Sequence, residues 1–354
     1  MGSDLAIALA IFLGSALTVV FLGSQLAKYG DALADLTGWG RLFVGSILVA
    51  VATSLPELSA NISAVSLDPP NPELAMGNVL GANMVNMFTM AWVALLFGGK
   101  RFLQRIAPEQ SYLIVLAALM TGLAILFAAI KLDVALWNIG LSSVVLLIVF
   151  VAGMRVVYAK RPQGESDEGV ADLIMTLRRA SLMFALVSAG VIVAGYFLAF
   201  SVDRIAELTG VASSTLGILA VSLVTTIPEA SATVAAARMG AADLGVANLY
   251  GSCAFNVTIL FYADPFYRQG IVVNQSEPAH FVAGGIAIFL IMFGLVLIMA
   301  RHQLHRVVAV GGLALMASIY ILGAIVVARL GAPETGATDA TASLQSQNQQ
   351  LPYL

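Results

Sequence analysis

Residues 35–60, DLTGWGRLFVGSILVAVATSLPELSA, align without gaps to residues 207–232, ELTGVASSTLGILAVSLVTTIPEASA, 172 positions downstream. LTG, T-x-x-P-E and S-A recur in register. A second block, ELAMGNVLGANMVN at 73–86, aligns with DLGVANLYGSCAFN at 243–256, 170 positions downstream, and keeps an acid, an Asn, a Gly and a closing Asn. Two blocks at nearly one offset mark an internal duplication. Both copies run through strongly apolar sequence, so the duplicated unit is a set of membrane spans.

The composition around these blocks agrees. Of 354 residues, 60% are hydrophobic and only 10% charged, the mean hydropathy is +0.94, and a soluble domain carries roughly 25% charged residues. A soluble globular protein is excluded, and no extramembrane domain fits. A hydrocarbon core about 30 Å thick takes about 20 apolar residues to cross. Runs of that length predict spans near 5–27, 39–67, 73–98, 110–130, 133–157, 176–200, 209–238, 244–263, 278–300 and 307–329. The fold class is an all-α polytopic membrane protein of about ten transmembrane helices. The N-terminus is too acidic for a signal peptide and has Ala6 where a myristoylation signal needs Ser or Thr, so the first run is expected to stay as a span. The stretch 331–354 has few large apolar residues and reads as a disordered tail.

Lys and Arg set the orientation. The odd-numbered connections carry 13 of them and the even-numbered ones, with the segment after the last span, carry 4. Cytoplasmic loops retain positive charge, so both termini are expected outside a cell membrane. The basic loops therefore read as topology and not as a nucleic-acid surface. The repeats begin five spans apart, and an odd offset makes the second copy enter from the opposite side. This predicts two inverted five-helix repeats, 1–158 and 176–330, with cores at 50–90 and 222–260 and a cytoplasmic linker at 159–175. Such duplication places a transporter's substrate site at the midplane, where the repeats meet.

Glu57 and Glu229 are the acids deep within apolar spans. Each costs several kcal/mol at the bilayer centre unless neutralised or partnered, and no Lys or Arg lies at comparable depth. That leaves a proton, a bound cation, or both in alternation. Pro56 and Pro228 precede them, removing hydrogen bonds and freeing carbonyls around Ala52, Thr53, Val224 and Thr225. Freed carbonyls in a membrane are tolerated where they face a cavity or an ion. Thr53, Ser54, Thr225, Thr226, Asn86 and Asn256 add oxygens, and Gly77 and Gly81, with Ala247 and Gly251, let helices approach closely. Oxygen donors without a His or thiolate cage favour a hard cation, Ca2+ or Na+, over zinc or copper. No G-x-S-x-G, HExxH or paired intramembrane Asp is present, so neither an enzyme nor a bound cofactor is expected. The expected partners are the ions and the lipid bilayer, with no obligate protein partner.

ATSLPEL at 52–58 with GNVLGANMVN at 77–86, and VTTIPEA at 224–230 with ANLYGSCAFN at 247–256, resemble the paired α-repeats of the Ca2+/cation antiporter superfamily, in particular prokaryotic sodium/calcium exchangers. The resemblance implies that Glu57, Glu229 and the carbonyls of Thr53 and Thr225 bind Ca2+. It implies that Asn86 and Asn256 complete the central site, and that Ser252 with backbone oxygens near Ala50 and Ser222 lines flanking Na+ sites. It also implies Na+/Ca2+ antiport by alternating access, the first and sixth spans sliding against the other eight. Four positions depart from the pattern: Thr226 and Ala82 stand where Ser is usual, Cys253 replaces an Asn, and Asn256 stands where many members have Asp. With fewer carboxylates, proton coupling or another divalent cation, Mn2+ or Mg2+, is the alternative.

Overall fold

The computed structural model describes residues 2–37, 50–160, 176–238, 240 and 242–332. Arg41, the charged stretch 161–169 and the tail from 333 fall outside the described residues. The chain is a helical bundle. Its first half contains α1 (Gly2–Thr37), α2 (Ala50–Thr53), α3 (Leu55–Val65), α4 (Pro72–Leu96), α5 (Lys100–Gln104), α6 (Gln110–Ile130) and α7 (Leu141–Ala159). The second contains α8 (Leu177–Thr209), α9 (Ser213–Leu216), a π-helical turn (Gly217–Val221), α10 (Ser222–Thr225), α11 (Ile227–Arg238), α12 (Ala242–Ala263), α13 (Pro278–Met299) and α14 (Arg306–Leu330). Among the described residues eight helices are long and apolar enough to cross a membrane, and the pair Ser213–Thr225 and Ile227–Arg238, bent by 41°, makes a ninth. The span expected near 39–67 begins outside the described residues and is seen from Ala50 onward.

Several expected spans need correction. The fifth does not start near 133. Residues Ala135–Leu136 (β1) and Ile139–Gly140 (β2) pair as an antiparallel hairpin, with Trp137 and Asn138 at φ 52° and 62° in its two-residue turn. Two left-handed residues in succession stop a right-handed helix, and they give the turn type that matches strand twist. Asp264 holds the hairpin down, accepting from the Gly140 amide at 2.8 Å and the Val272 amide at 3.0 Å. The first and sixth spans are longer than expected, reaching Thr37 and Thr209. The seventh is broken between Thr225 and Ile227, where Pro228 is expected to interrupt it.

Burial orders the bundle into a centre and a sheath. Within the apolar window of each helix, 78% of α4 and 89% of α12 is buried, against 17% of α1 and of α7. These two central helices are also the least hydrophobic of the eight. Protein rather than lipid surrounds them, which lets them carry polar groups. One belongs to each repeat. The long helices α1 and α8 pack along one another, and each lies on the Pro-Glu helix of the other repeat, α8 on α3 and α1 on α11. Ser59 of α3 donates to the Ile192 carbonyl of α8 at 3.0 Å.

Where α4 crosses the broken helix, backbones meet. A Cβ on Gly77 would sit 2.5 Å from the Ser214 carbonyl oxygen, and one on Gly81 would collide with the Ile218 carbonyl and lie 2.7 Å from Ser222 Oγ. A backbone carbonyl cannot swing aside as the end of a long side chain can. Gly122 on α6 is different, since a Cβ there meets nothing closer than 3.8 Å. Gly81→Ala is therefore expected to lower stability by about 1–3 kcal/mol through overpacking, whereas Gly122→Ala is expected to be neutral or to gain about 0.5–1 kcal/mol from reduced backbone entropy. Thermal melts of the two detergent-solubilised variants against wild type check both signs.

Candidate cation site

The site is built on two chain breaks. Ser54 (φ −87°, ψ 6°) and Thr226 (φ −84°, ψ −2°) interrupt the helices at equivalent places in the two repeats, with almost the same backbone angles. Proline explains both. Pro56 has no N–H for the Ala52 carbonyl and Pro228 none for that of Val224, so the helix stops and restarts with proline in its first turn. The new helices close through Leu58 N to Ser54 O at 3.0 Å and Ala230 N to Thr226 O at 3.2 Å. Glu57 and Glu229 therefore stand in the first turns of α3 and α11, where the helix dipole favours a negative charge.

Each glutamate is held by the other repeat. Thr226 Oγ1 donates to Glu57 Oε1 at 3.2 Å, and Ser54 Oγ donates to Glu229 Oε1 at 3.0 Å. The neighbouring hydroxyls follow the same exchange, Thr225 bearing on Glu57 and Thr53 on Glu229. The halves then diverge. Ser252 Oγ approaches Glu229 Oε1 at 3.4 Å and Ser54 Oγ at 3.3 Å, while its counterpart in the first repeat is Ala82, which offers no hydroxyl to Glu57.

Both carboxylates are fully buried, and each keeps one oxygen, Oε2, with no hydrogen-bond partner. Asn86, also fully buried, has neither amide atom paired, and Asn256 Oδ1 is unpaired too. Among the described residues no Lys or Arg bridges to either glutamate. The ion pair seen there, Arg204 with Glu207, is exposed. Hydrogen bonds to a charged group contribute about 1.5–3 kcal/mol each, but desolvating a carboxylate costs several kcal/mol. Two ionised glutamates here need a positive charge between them. Unpaired acceptor oxygens in a buried place are what a hard cation fills. No three His, Cys, Asp or Glu side chains among the described residues form a metal-holding group, so a zinc-type cage is not present in them.

Every expected side chain among Thr53, Ser54, Glu57, Asn86, Thr225, Thr226, Glu229, Ser252 and Asn256 is buried, and hydrogen bonds across the repeats draw the two Pro-Glu breaks together. Ser222 is buried, and its carbonyl accepts from Thr226 N at 3.0 Å, with the Thr225 hydroxyl 3.4 Å away. Ala50 opens the described part of α2. Asn78, Asn248, Asn83 and Thr121 were not among the expected site residues. Asn78 Oδ1 accepts from Thr225 Oγ1 at 3.2 Å, and Asn248 Nδ2 donates to the Glu229 carbonyl at 3.4 Å. Asn83 Nδ2 donates to Thr121 Oγ1 at 3.0 Å and to the Cys253 carbonyl at 3.1 Å. The in-register match of Asn78 with Asn248 was a usable signal. Asn83 has Cys253 as its match and Thr121 lies in neither block, so no pattern pointed to them.

Residues 7–156 and 179–330 match the family described as sodium/calcium exchanger protein. The inner membrane protein YrbG of Escherichia coli (strain K12) is 23% identical over 259 residues, which cover 72% of this chain and 78% of that protein. The crystal structure of the H+/Ca2+ exchanger CAX superposes with a TM-score of 0.63 at 14% identity, covering 90% of this chain and 87% of that one. The sodium-calcium exchanger NCX_Mj superposes with a TM-score of 0.56 at 18% identity, covering 89% and 97%. At these identities the two structures share the fold.

A cation held between the glutamates stabilises the folded protein by mass action. At roughly 100-fold excess over its Kd, added Ca2+ is expected to stabilise wild type by about 2.7 kcal/mol. Glu57→Gln and Glu229→Gln are expected to lose that shift and, without divalent cation, to melt at or above the wild-type temperature, because each removes an uncompensated buried charge. Melting curves with Ca2+ and with a chelator check it, and a wild-type shift retained in both variants would contradict the assignment.

Proposed function

The chain belongs to the sodium/calcium exchanger protein family, and from that premise we propose that it is a secondary active antiporter exchanging Na+ for Ca2+ by alternating access. The observation that carries this reading is the Glu57–Glu229 pair, buried, lacking a basic partner among the described residues, and bonded across the two repeats. The unpaired Oε2 atoms of both glutamates, with Asn86 and Asn256 beside them, are hard oxygen donors suited to Ca2+ or Na+. Thr53 and Thr225 adjoin the breaks, and their carbonyls are the next donors in the proposed shell. The repeats extend over 1–158 and 176–330, and the Lys and Arg bias supports both termini outside. Alternation is assigned to α1 and α8, which pack along one another and rest on α11 and α3. Sliding this pair exposes the glutamates to one side and then the other.

A second reading, proton coupling, is favoured by the missing hydroxyl at Ala82. Stoichiometry makes the point quantitative. For a tenfold Na+ gradient and 100 mV, each entering Na+ supplies roughly 3.7 kcal/mol, and expelling Ca2+ against a 10^4 ratio needs roughly 10 kcal/mol. Three Na+ suffice and two do not. The Glu229 side has the Ser54 and Ser252 hydroxyls, and the Glu57 side lacks the second of these. If that half holds no Na+, a proton on Glu57 takes its place, or the Ca2+ gradient sustained is shallower. The same oxygens admit Mn2+, and Mg2+ less well because it dehydrates reluctantly.

The test is uptake of radioactive Ca2+ into Na+-loaded proteoliposomes diluted into Na+-free medium, with voltage clamped by K+ and valinomycin. Uptake that requires internal Na+, increases with interior-positive potential and vanishes in Glu57→Gln is expected. Uptake driven by a pH gradient and indifferent to Na+ would replace Na+ coupling with H+ coupling, and uptake of Mn2+ or Mg2+ alone would change the substrate. Ala82→Ser restores the absent hydroxyl and is expected to steepen the Na+ dependence, raising the Hill coefficient by about one where the new hydroxyl adds a bound ion.

A further inference from the structure

Asn71 joins four elements at one end of the bundle. It is buried and caps α4, its Oδ1 accepting from the Leu74 amide at 3.0 Å, while its backbone amide donates to the Ala64 carbonyl near the end of α3 at 2.9 Å. Its Nδ2 carries two hydrogens and uses both. One goes to Asp203 Oδ1 on α8 at 2.6 Å, the other to Ser213 Oγ, the first residue of α9, at 2.9 Å. At the same end α4 and α9 are tied to α13. Ser214 donates to the Glu277 carboxylate in front of α13, and His280 Nδ1 accepts from the Glu277 amide at 2.8 Å, which leaves Nε2 to donate to the Glu73 carbonyl at 3.0 Å.

Of these elements α8 is the one assigned to move. Asp203 stands in its last two turns, and residues 210–212 join it to α9. On the other side of the bond, α4 and the broken helix meet backbone to backbone, a Cβ on Gly77 falling 2.5 Å from the Ser214 carbonyl oxygen and one on Gly217 falling 2.4 Å from that of Leu74. That block has no room to follow α8. A hydrogen bond is lost within about 1 Å of its ordinary length, whereas a one-turn shift of a helix is about 5.4 Å. Sliding α8 along α4 therefore parts Asp203 from Asn71, while the bonds of Asn71 to Leu74 and Ser213 stay with the block.

We propose that Asp203 is a positioning residue of the transport cycle, the acceptor through which Asn71 holds α8 at one position of its slide against α4 and α9. This rests on the reading of α1 and α8 as the moving pair. Loss of a hydrogen bond to a carboxylate shifts the ratio of two positions by roughly 10- to 100-fold. Asn71→Asp keeps the oxygen that caps α4 and replaces the donor by a second carboxylate facing Asp203. The exchanged pair, Asn71→Asp with Asp203→Asn, puts one donor and one acceptor back in the same place.

The experiment measures spin-label distances in the full-length protein in proteoliposomes, in Na+ and in Ca2+, with labels at Glu207→Cys on α8 and Arg268→Cys on the α12–α13 connection. Both positions are exposed, and the native Cys253 is fully buried. One distance is expected to dominate without the substitutions. In Asn71→Asp and in Asp203→Ala a second distance is expected to gain roughly 10- to 100-fold relative to the first, and the exchanged pair is expected to return to the original distribution, which a residue needed only for folding would not do. Distances that differ between Na+ and Ca2+ but are unchanged by Asn71→Asp, or a shift that the exchanged pair fails to reverse, overturn the proposal and leave the moving pair standing. A shift reversed by the exchanged pair in a protein that takes up no Ca2+ supports the Asp203 role and overturns the Ca2+ antiport reading. One distance in every ion and every variant overturns both the proposal and the assignment of α8 as a moving helix.

Discussion

Two carboxylates buried among membrane helices, with no basic side chain among the described residues to neutralise them, constrain the rest of this structure. An ionised glutamate in that position is stable only when something positive and exchangeable compensates it. Glu57 and Glu229 are positioned by geometry that neither repeat supplies alone. Each sits in the first turn of a helix restarted after a proline break, and each accepts a hydroxyl from the break in the opposite repeat. The cross-bonding fixes the two halves in register. The close backbone crossings at Gly77, Gly81 and Gly217 then exclude lipid and bring the breaks within reach of one another.

The pseudo-symmetry is informative chiefly where it fails. Ser252 serves Glu229, and Ala82 leaves Glu57 without the equivalent hydroxyl. Asn256 is tied to Asn83, but Asn86, its counterpart, is unbonded. Asn83 bonds through its amide to Thr121, Cys253 and Asn256, and the matching place in the second repeat holds the Cys253 thiol. A duplicated site begins with two equivalent halves, and each of these differences gives one half a donor set that the other lacks. Such inequality bears on how many coupling ions bind and which divalent ions compete. The α1–α8 pair packs on both Pro-Glu helices, α11 and α3.

Much of this was legible in the residues themselves. Glu57 and Glu229 stand out because carboxylates are rare within apolar runs, and Pro56 and Pro228 because proline breaks a helix in any surroundings. The pairing of Ser54 and Thr226, of Asn86 and Asn256, and of Gly81 and Gly251 follows from aligning the chain with itself. Harder to read was any group whose role depends on a partner far away in the chain. Thr121 matters because Asn83 reaches it from another helix. The hairpin at 135–140 was hidden inside a segment apolar enough to pass for a span, and it is stabilised by Asp264, more than 120 residues away.

Residue type and spacing thus decide that the chain crosses a membrane, that it is duplicated, and which side chains are too costly to be there without a purpose. These follow from local quantities, hydropathy over about 20 residues and the backbone chemistry of proline, which do not change with the surroundings. Packing decides the rest. That Thr226 bonds Glu57 while Ser54 bonds Glu229, and that Asn83 reaches Thr121 and the Cys253 carbonyl, depend on how distant segments meet. Hydrogen bonds of about 3 Å are set by the relative placement of whole helices, and only the folded chain carries that placement.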